Sequence, residues 1–495
     1  MRRDPGIGRR TVLLGALGAL AAGALSSCEG DGSPGTSRPM PRLIGPRSDE
    51  VRAAEQLRRT PGQRVVSRKI TARESVMDLG ERTVSTWTYD DALPGPELRT
   101  RAGDLLRVEL TNDLPDETSI HWHGLALSND MDGVPGLTQD PIGAGSRFVY
   151  EFTTPDPGTY FFHPHTGVQL DRGLYGVLIV DDPDEPGGYD QEWVVVLDDW
   201  IDGTGRTPDD VLERLASSTG HGGMMGRTMH SPLLGSAGDV DYPLHLINGR
   251  TPRAPVTFTG RPGQRARIRI VNAGSDTAFR VALGGHRLTV THSDGFPVTP
   301  VATDALLIGM GERYDVIVEL ADGAFPLVAQ AEGKTGAGLA VVRTGSGAAP
   351  SAGTRVRELD RRILLGTDLA AADSARLGRR SIDRSLDAVL GGGMMSYRWT
   401  INGGAFPDTD PLEVAQGERV RLHVRNTSMM FHPMHLHGHT FALAGSGVRK
   451  DTVIVRPHQS LEVDLQADNP GQWALHCHNI YHAETGMMTV LSYRR

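Results

Sequence analysis

The sequence predicts an all-β protein of three tandem Greek-key β-sandwich domains, and three observations carry that prediction. Its 495 residues exceed one ordinary core, and ~100–200 residues per domain suggests two to four domains. The 61 Gly and 31 Pro, with moderate charge, suit short strands and turns better than helices. Finally, one pattern recurs three times: Gly103-Asp-Leu-Leu-Arg107 reaching Asn112, Gly263-Gln-Arg-Ala-Arg267 reaching Asn272, and Gly417-Glu-Arg-Val-Arg421 reaching Asn426. In each copy Arg follows the Gly by four residues and Asn by nine, and a proline stands upstream, at Pro94, Pro252 or Pro407. Copies 160 and 154 residues apart are tandem domains, far too widely spaced for a solenoid.

From the N-terminus, residues 1–28 read as a Tat-type export signal. Arg9-Arg10 precede an apolar run, Thr11 to Leu25, that is too short to span a bilayer as a stable helix. Its end, Leu25-Ser26-Ser27-Cys28, resembles the lipobox of bacterial lipoproteins, in which the Cys is lipidated and becomes the mature N-terminus. A cleaved soluble signal is the alternative. Residues 29–60, rich in Gly, Pro, Ser and Arg, are expected to be a flexible tether. The chain is thus expected outside the cytoplasm, touching the membrane only through a lipid anchor.

The domains are placed at 61–185, 186–352 and 353–495. Alternation over Leu105–Leu110, Ala266–Val271 and Val420–Val424 predicts a half-buried strand in each, entered through the turn at the repeated Gly. Antiparallel pairing is expected, with Asp209–Ser217 as a short helix. A net charge of -9 without a basic stripe argues against nucleic acid as a partner.

Nine residues after Asn112 stands His121-Trp122-His123-Gly124, and nine after Asn426 stands His435-Leu436-His437-Gly438. The middle copy reads Val281-Ala282-Leu283-Gly284 there, keeping only the Gly. A second matched pair follows: His163-Pro164-His165 lies 51 residues after its Asn, and His476-Cys477-His478 lies 50 after its own. Random placement of 18 histidines yields roughly 0.6 His-x-His pairs, counted over the whole chain; this sequence has five, four of them at symmetric positions. On a strand, residues i and i+2 share a face. Four such pairs can therefore bring eight imidazoles to one interface, enough for three metals. Cys477 must then face the opposite way. His432, Cys477 and His482, with Met487 ten residues past the Cys, make the His₂Cys plus axial Met set of a blue-copper site. In the fifth pair His439 reads as a packing residue or as one that supports the ligand histidines from behind, and His221, His230, His245, His286, His292, His423 and His458 read as structural or exposed.

His121-Trp-His-Gly, His163-Pro-His, His432-Pro-Met-His-Leu-His-Gly and His476-Cys-His-x₃-His-x₄-Met resemble the four copper motifs of three-domain multicopper oxidases, the laccases and cuprous oxidases. The resemblance spans essentially the whole chain after the signal and tether. It implies three cupredoxin domains and four coppers: type 1 on His432, Cys477, His482 and Met487, and type 2 on His121 and His435. One type 3 copper would take His123, His163 and His478, the other His165, His437 and His476. It also implies four one-electron oxidations coupled to reduction of O2 to two waters. Asp132, in Asp-Gly-x-Pro, is similar to the family's proton-relay aspartate. Where many bacterial relatives have Glu directly after the last type 1 His, this chain has Ala483 and then Glu484, the candidate second acid.

Two substrates compete. For Cu(I), a soft ion that favours thioethers, Met430 sits where cuprous oxidases place a Met, with Ser428 at the position of their acid. Met394-Met395 fall where some relatives carry a Met-rich insert, and His221, Met224, Met225, Met229 and His230 form another soft cluster. For phenols and aromatic amines, the missing insert favours an open type 1 edge. A third possibility, of a different class, is a copper-free cupredoxin scaffold.

Overall fold

The computed structural model describes residues 42–185, 187–218, 229–393 and 396–495. Each repeated strand lies inside a sheet of the same construction. Leu105–Asp113 pairs in parallel with Val65–Asp78 and antiparallel with Arg147–Thr153. Arg265–Asn272 pairs likewise with Gln191–Trp200 and Arg313–Glu319, and Arg419–Asn426 with Arg384–Gly392 and Ser460–Gln466. The expectation of purely antiparallel sheets is corrected. Between the two parallel strands the chain visits the second sheet of its sandwich, through Leu98–Arg101, Thr257–Thr259 or Leu412–Ala415, and that excursion supplies the crossover a parallel pair requires.

The conserved geometry of the repeat has a local cause. Gly103, Gly263 and Gly417 have φ of 85°, 80° and 89°, where a Cβ is strained, so the turn into each strand selects Gly. The Asn at the far end ties down the loop that follows. Asn112 Nδ2 donates to the carbonyls of Asp116 and Ile142, Asn272 Nδ2 to Thr277 and Ile308, and Asn426 Nδ2 to Met430 and Val455. Each Asn Oδ1 accepts the backbone N–H two residues on. These bonds satisfy buried backbone groups and set the start of the next strand: His121–His123, Phe279–Leu283 or His432–Leu436.

That next strand belongs to the second sheet. His121–His123 pairs with Gly158–His163, putting His121 opposite His163. His432–Leu436 pairs with Gln472–Cys477, putting His435 opposite His476. The middle domain makes the same rung with Val281 opposite Ala329. The protein is three cupredoxin-like sandwiches, the apolar faces of each pair of sheets forming its core.

Three boundaries differ from expectation. The tether is ordered over its last third: Asp49–Arg58 is a helix capped by Ser48, with Val51 and Glu55 buried. Ile44 N–H donates to Tyr493 O, and Glu55 accepts from the backbone and hydroxyl of Thr153. Few apolar residues mark this helix, because polar contacts to the first and third sandwiches hold it; residues 29–41 lie outside the described residues. The expected helix at Asp209–Ser217 is Pro208–Ser217, closed by a Thr207/Asp210 capping box. The middle sandwich also continues past residue 352, since Ile363–Leu364 pairs with Ala305–Ile308.

Candidate metal centre

The cross-strand rungs place two imidazoles on one face of the first sandwich and two on one face of the third, and the faces meet. His121 Nε2 lies 3.4 Å from His435 Nε2, and His165 Nε2 lies 3.4 Å from His476 Nε2. His437 and His476 bring their Nε2 atoms to 3.0 Å. The rings of His121 and His437, and of His123 and His435, stack with centroids 3.7 Å apart. Nitrogens of His121, His123 and His163 gather within 4.8 Å of one another, as do those of His121, His435 and His437 and of His165, His437 and His476. The ring of His478 sits 4.8 Å from that of His123 and 5.3 Å from that of His163. All eight predicted histidines are brought together.

The outward nitrogens of these rings are held in place. His121 Nδ1 donates to Asp132 O at 2.9 Å, His163 Nδ1 to Pro164 O at 2.9 Å, and His435 Nδ1 to Asp451 O at 3.0 Å. His437 Nδ1 donates to Asp132 Oδ2 at 2.9 Å, and His476 Nδ1 to Cys477 O at 2.9 Å. His123 is turned the other way, giving Nε2 to Asp451 Oδ1 at 3.0 Å. Fixing one nitrogen fixes tautomer and orientation, and aims the other inward as a lone pair.

These residues fit copper. His123 Nδ1, His163 Nε2 and both nitrogens of His478 are buried without a hydrogen-bond partner, a costly arrangement unless a ligand satisfies them. Burial, reinforced by neighbouring imidazoles, holds His123, His163, His165, His437 and His478 well below the usual imidazole range, and His476 at about 3. Neutral rings with free lone pairs are what a metal ion requires. A scaffold that has lost its ligands would not keep such an arrangement.

Asp451 is a residue that spacing does not reveal. It stands in Lys450-Asp451-Thr452, a polar triplet ahead of an apolar strand, and that contrast was the only signal. Arg313 of the middle sandwich grips both its oxygens at 2.7 Å, all side chains being fully buried. Arg313 Nε also donates to Thr159 O, so one side chain touches all three sandwiches. Burial acts to raise the Asp451 carboxyl, but Arg313 and the donated bonds of His123 and His435 hold it well below the usual range. The Gly that ends the first motif leaves room for this clamp: a Cβ on Gly124 would come within 2.4 Å of Arg313 and 2.6 Å of Asp451. Asp132 accepts from His121 Nδ1 at its carbonyl and from His437 Nδ1 at Oδ2. Glu484 ends the helix Ile480–Glu484, exposed and without a hydrogen bond to a cluster histidine, though local burial and nearby Asp209 push its carboxyl up to about 7.

On the opposite face of its strand, Cys477 meets the second set. Its Sγ lies 3.6 Å from His432 Nδ1 and 3.5 Å from His482 Nδ1, and the two nitrogens are 3.1 Å apart. Met487 is fully buried in the same core, its carbonyl accepting from Cys477 N–H at 3.0 Å. Burial pushes the Cys477 thiol up, so a bound cation is what would make it a thiolate. The outer nitrogens are again anchored, His432 Nε2 on Ser428 Oγ and His482 Nε2 on Asp239 Oδ2, both at 2.8 Å. Asp239 comes from the middle sandwich, and Tyr397 donates to the same oxygen at 2.7 Å. The Trp399 ring packs against that of His482, centroids 4.1 Å apart and tilted by 36°. Among the described residues His482 is completely buried, without the open edge that the phenol-oxidising alternative expects.

The soft residues sort differently than expected. Met430 is buried, bridged through its backbone to Gly235 and Ser236, and cannot itself meet an incoming ion at the surface. The adjacent Met429 is 67% exposed. Met394, Met395, His221, Met224 and Met225 lie outside the described residues, while His230 is exposed. His439 is a packing residue, buried and bonded through Nε2 to Tyr493 Oη at 2.7 Å.

Sequence profiles of the multicopper oxidase family match residues 71–185, 191–347 and 383–495. The chain is 48% identical to the multicopper oxidase MmcO of Mycobacterium tuberculosis, over 98% of this chain and 97% of that one. It is 30% identical to a copper resistance protein A homolog of Pseudomonas syringae pv. tomato, covering 84% and 90% of the two. The crystal structure of a laccase from Botrytis aclada superposes with a TM-score of 0.71 at 26% identity, over 88% of each chain. With the imidazole seam, the buried cysteine and these likenesses together, the chain belongs to the multicopper oxidase family of copper-dependent oxidoreductases.

Proposed function

We propose that this oxidase draws single electrons from Cu(I) and delivers four of them to dioxygen, giving two waters, in copper tolerance outside the cytoplasm. Copper, when bound, supplies the one-electron redox chemistry and the reactivity toward O2. His432, Cys477, His482 and Met487 would hold type 1 copper, and His121 and His435 type 2. His123, His163 and His478 would hold one type 3 copper and His165, His437 and His476 the other, four per chain. Cys477 joins the two centres covalently, because its backbone neighbours His476 and His478 face the seam. Asp132 orients His121 and His437 and keeps Oδ1 buried without a hydrogen bond, an acceptor suited to passing protons.

One observation carries the choice of Cu(I): the His482 imidazole is sealed beneath Asp239, Tyr397 and Trp399. A phenol needs contact with that ring edge, whereas a monatomic cation needs only ligands at the surface and a short electron-transfer step. Likeness to a copper resistance protein A homolog supports the same reading. Likeness to a laccase supports oxidation of phenols or aromatic amines as a second reading. Oxygen uptake driven by Cu(I) and by a phenol decides between them. We expect the larger kcat/KM on Cu(I); negligible Cu(I) turnover beside brisk phenol oxidation would sink the proposal. Export and lipid anchoring through Cys28 complete it, and mass analysis of the mature N-terminus for an acyl group tests that part.

A further inference from the structure

The middle sandwich buries a charged pair beside the loop that carries Cys477 and His482. Asp276 and Lys334 have their side chains out of solvent and are joined through Oδ2 and Nζ. Lys334 Nζ also donates to the carbonyls of Asp276 and Val240, at 2.9 and 3.1 Å, and to Thr277 Oγ1 at 3.0 Å. Asp199 sets the loop beneath them, its carboxylate accepting from the N–H groups of Ser275 and Asp276 at 2.7 and 3.0 Å. Gly238 leaves the room: its φ is 140°, and a Cβ there would come within 2.3 Å of Asp276 Oδ2 and 2.6 Å of Lys334 Nζ. A buried ion pair adds little net stability, because desolvation offsets the attraction. A fully bonded one does fix geometry, so what it bonds is informative. Asp276 bonds two segments that both hold His482. Its Oδ1 accepts from Asn479 Nδ2, and Asn479 Oδ1 accepts the N–H groups of Tyr481 and His482 at 3.1 and 3.3 Å. Its Oδ2 accepts the N–H groups of Asp239 and Val240, both at 3.0 Å, while Asp239 Oδ2 accepts from His482 Nε2. One carboxylate thus grips His482 by its backbone and by its outer ring nitrogen.

We propose that Asp276 and Lys334 are positioning residues for the type 1 centre, fixing His482 against Cys477 and so setting that centre's copper retention and reduction potential. The role rests on the type 1 ligand set proposed above and is independent of which electron donor the oxidase uses. His482 Nδ1 stands 3.5 Å from Cys477 Sγ and 3.1 Å from His432 Nδ1. Freeing either end of the residue lets the ring leave that arrangement. The potential of a His₂Cys copper depends on its ligands and on the hydrogen bonding around them. Groups that orient a ligand from behind change metal affinity by about 10–100-fold. A third link joins the same two loops, Ile480 N–H to Ser275 O at 3.1 Å.

The test reads the type 1 centre of the copper-loaded enzyme by its blue absorption, its reduction potential and its loss of copper to excess chelator. Asn479→Ser keeps an oxygen that can cap Tyr481 and His482 but removes the amide that bonds Asp276. We expect its copper-free thermal midpoint to stay close to wild type. Its blue band should shift or weaken, its type 1 potential should move, and type 1 copper should be lost at least tenfold faster. The type 2 electron paramagnetic resonance signal should not change. Lys334→Met should alter the blue band and the potential in the same way and lower the midpoint as well; if it does not fold, Asn479→Ser decides alone. Wild-type absorption, potential and copper retention in the folded variants would overturn the proposal, even with stability reduced, because the pair would then only support the fold. A wild-type enzyme without a blue band would instead refute the type 1 ligand set, and the positioning role with it.

Discussion

Replacing Arg313 with Met tests whether the middle sandwich, which carries no ligand histidines, organises the metal seam. The guanidinium pairs both oxygens of Asp451 at 2.7 Å, stands 3.6 Å from Asp294, and donates to the carbonyls of Thr159 and Gly311. Methionine leaves Asp451 buried without its cation, while Asp294 keeps Lys450 at 3.0 Å. Breaking a buried pair from one side costs about 3–5 kcal/mol, a large part of a typical ~5–15 kcal/mol stability. Guanidinium unfolding of the copper-free protein reads this without the contribution of metal binding. Asp451→Asn removes one stranded charge, so the double variant should be at least about 2 kcal/mol more stable than the two single losses predict. In the loaded enzyme, Asp451 also orients His123 and His435, so the type 2 electron paramagnetic resonance signal should weaken or broaden in Arg313→Met. A cost below about 1 kcal/mol, the range of a surface pair, or strict additivity would refute the clamp.

Three further outcomes follow from the same geometry. Cys477→Ser should abolish the blue absorption and the oxygen uptake while leaving the type 2 signal, because the eight imidazoles do not depend on the thiol; a residual blue colour would contradict the site. Asp132→Asn should slow oxygen reduction by about 10²-fold or more if it handles protons, whereas the exposed Glu484→Gln should change stability by no more than about 0.5 kcal/mol and turnover little. Burial, with Lys334 nearby, holds His245 at about 3. Its unfolded value is higher, so the unfolded chain binds the proton first, and stability present above pH ~6.5 is lost as pH falls toward 3. That amounts to about 2 kcal/mol at pH 5. His245→Gln should therefore lose about that much less than wild type between pH 8 and pH 5, measured by denaturant midpoints; parallel losses would exclude His245 as the titrating group.

What could be read from residues alone was whatever local geometry dictates. Strand alternation puts i and i+2 on one face, so His-x-His spacing already implied paired imidazoles, and Cys477 between two histidines already implied a centre on the other face. The repeated Gly and Asn likewise act within a few residues of themselves, through a left-handed φ and a two-residue turn. Tertiary structure decided everything that depends on distant partners. Arg313 reaches Asp451 across 138 residues and Asp239 reaches His482 across 243, and no spacing encodes such pairs. The helix Asp49–Arg58 escaped notice because polar contacts to other sandwiches, more than its own pattern, hold it. Met429 and Met430 are chemically identical neighbours; only the packing of the middle sandwich over one of them sends the first to the surface and the second inside. Ligand identity is set by side-chain chemistry and period, while access, protonation and orientation are set by what the rest of the chain lays against those ligands.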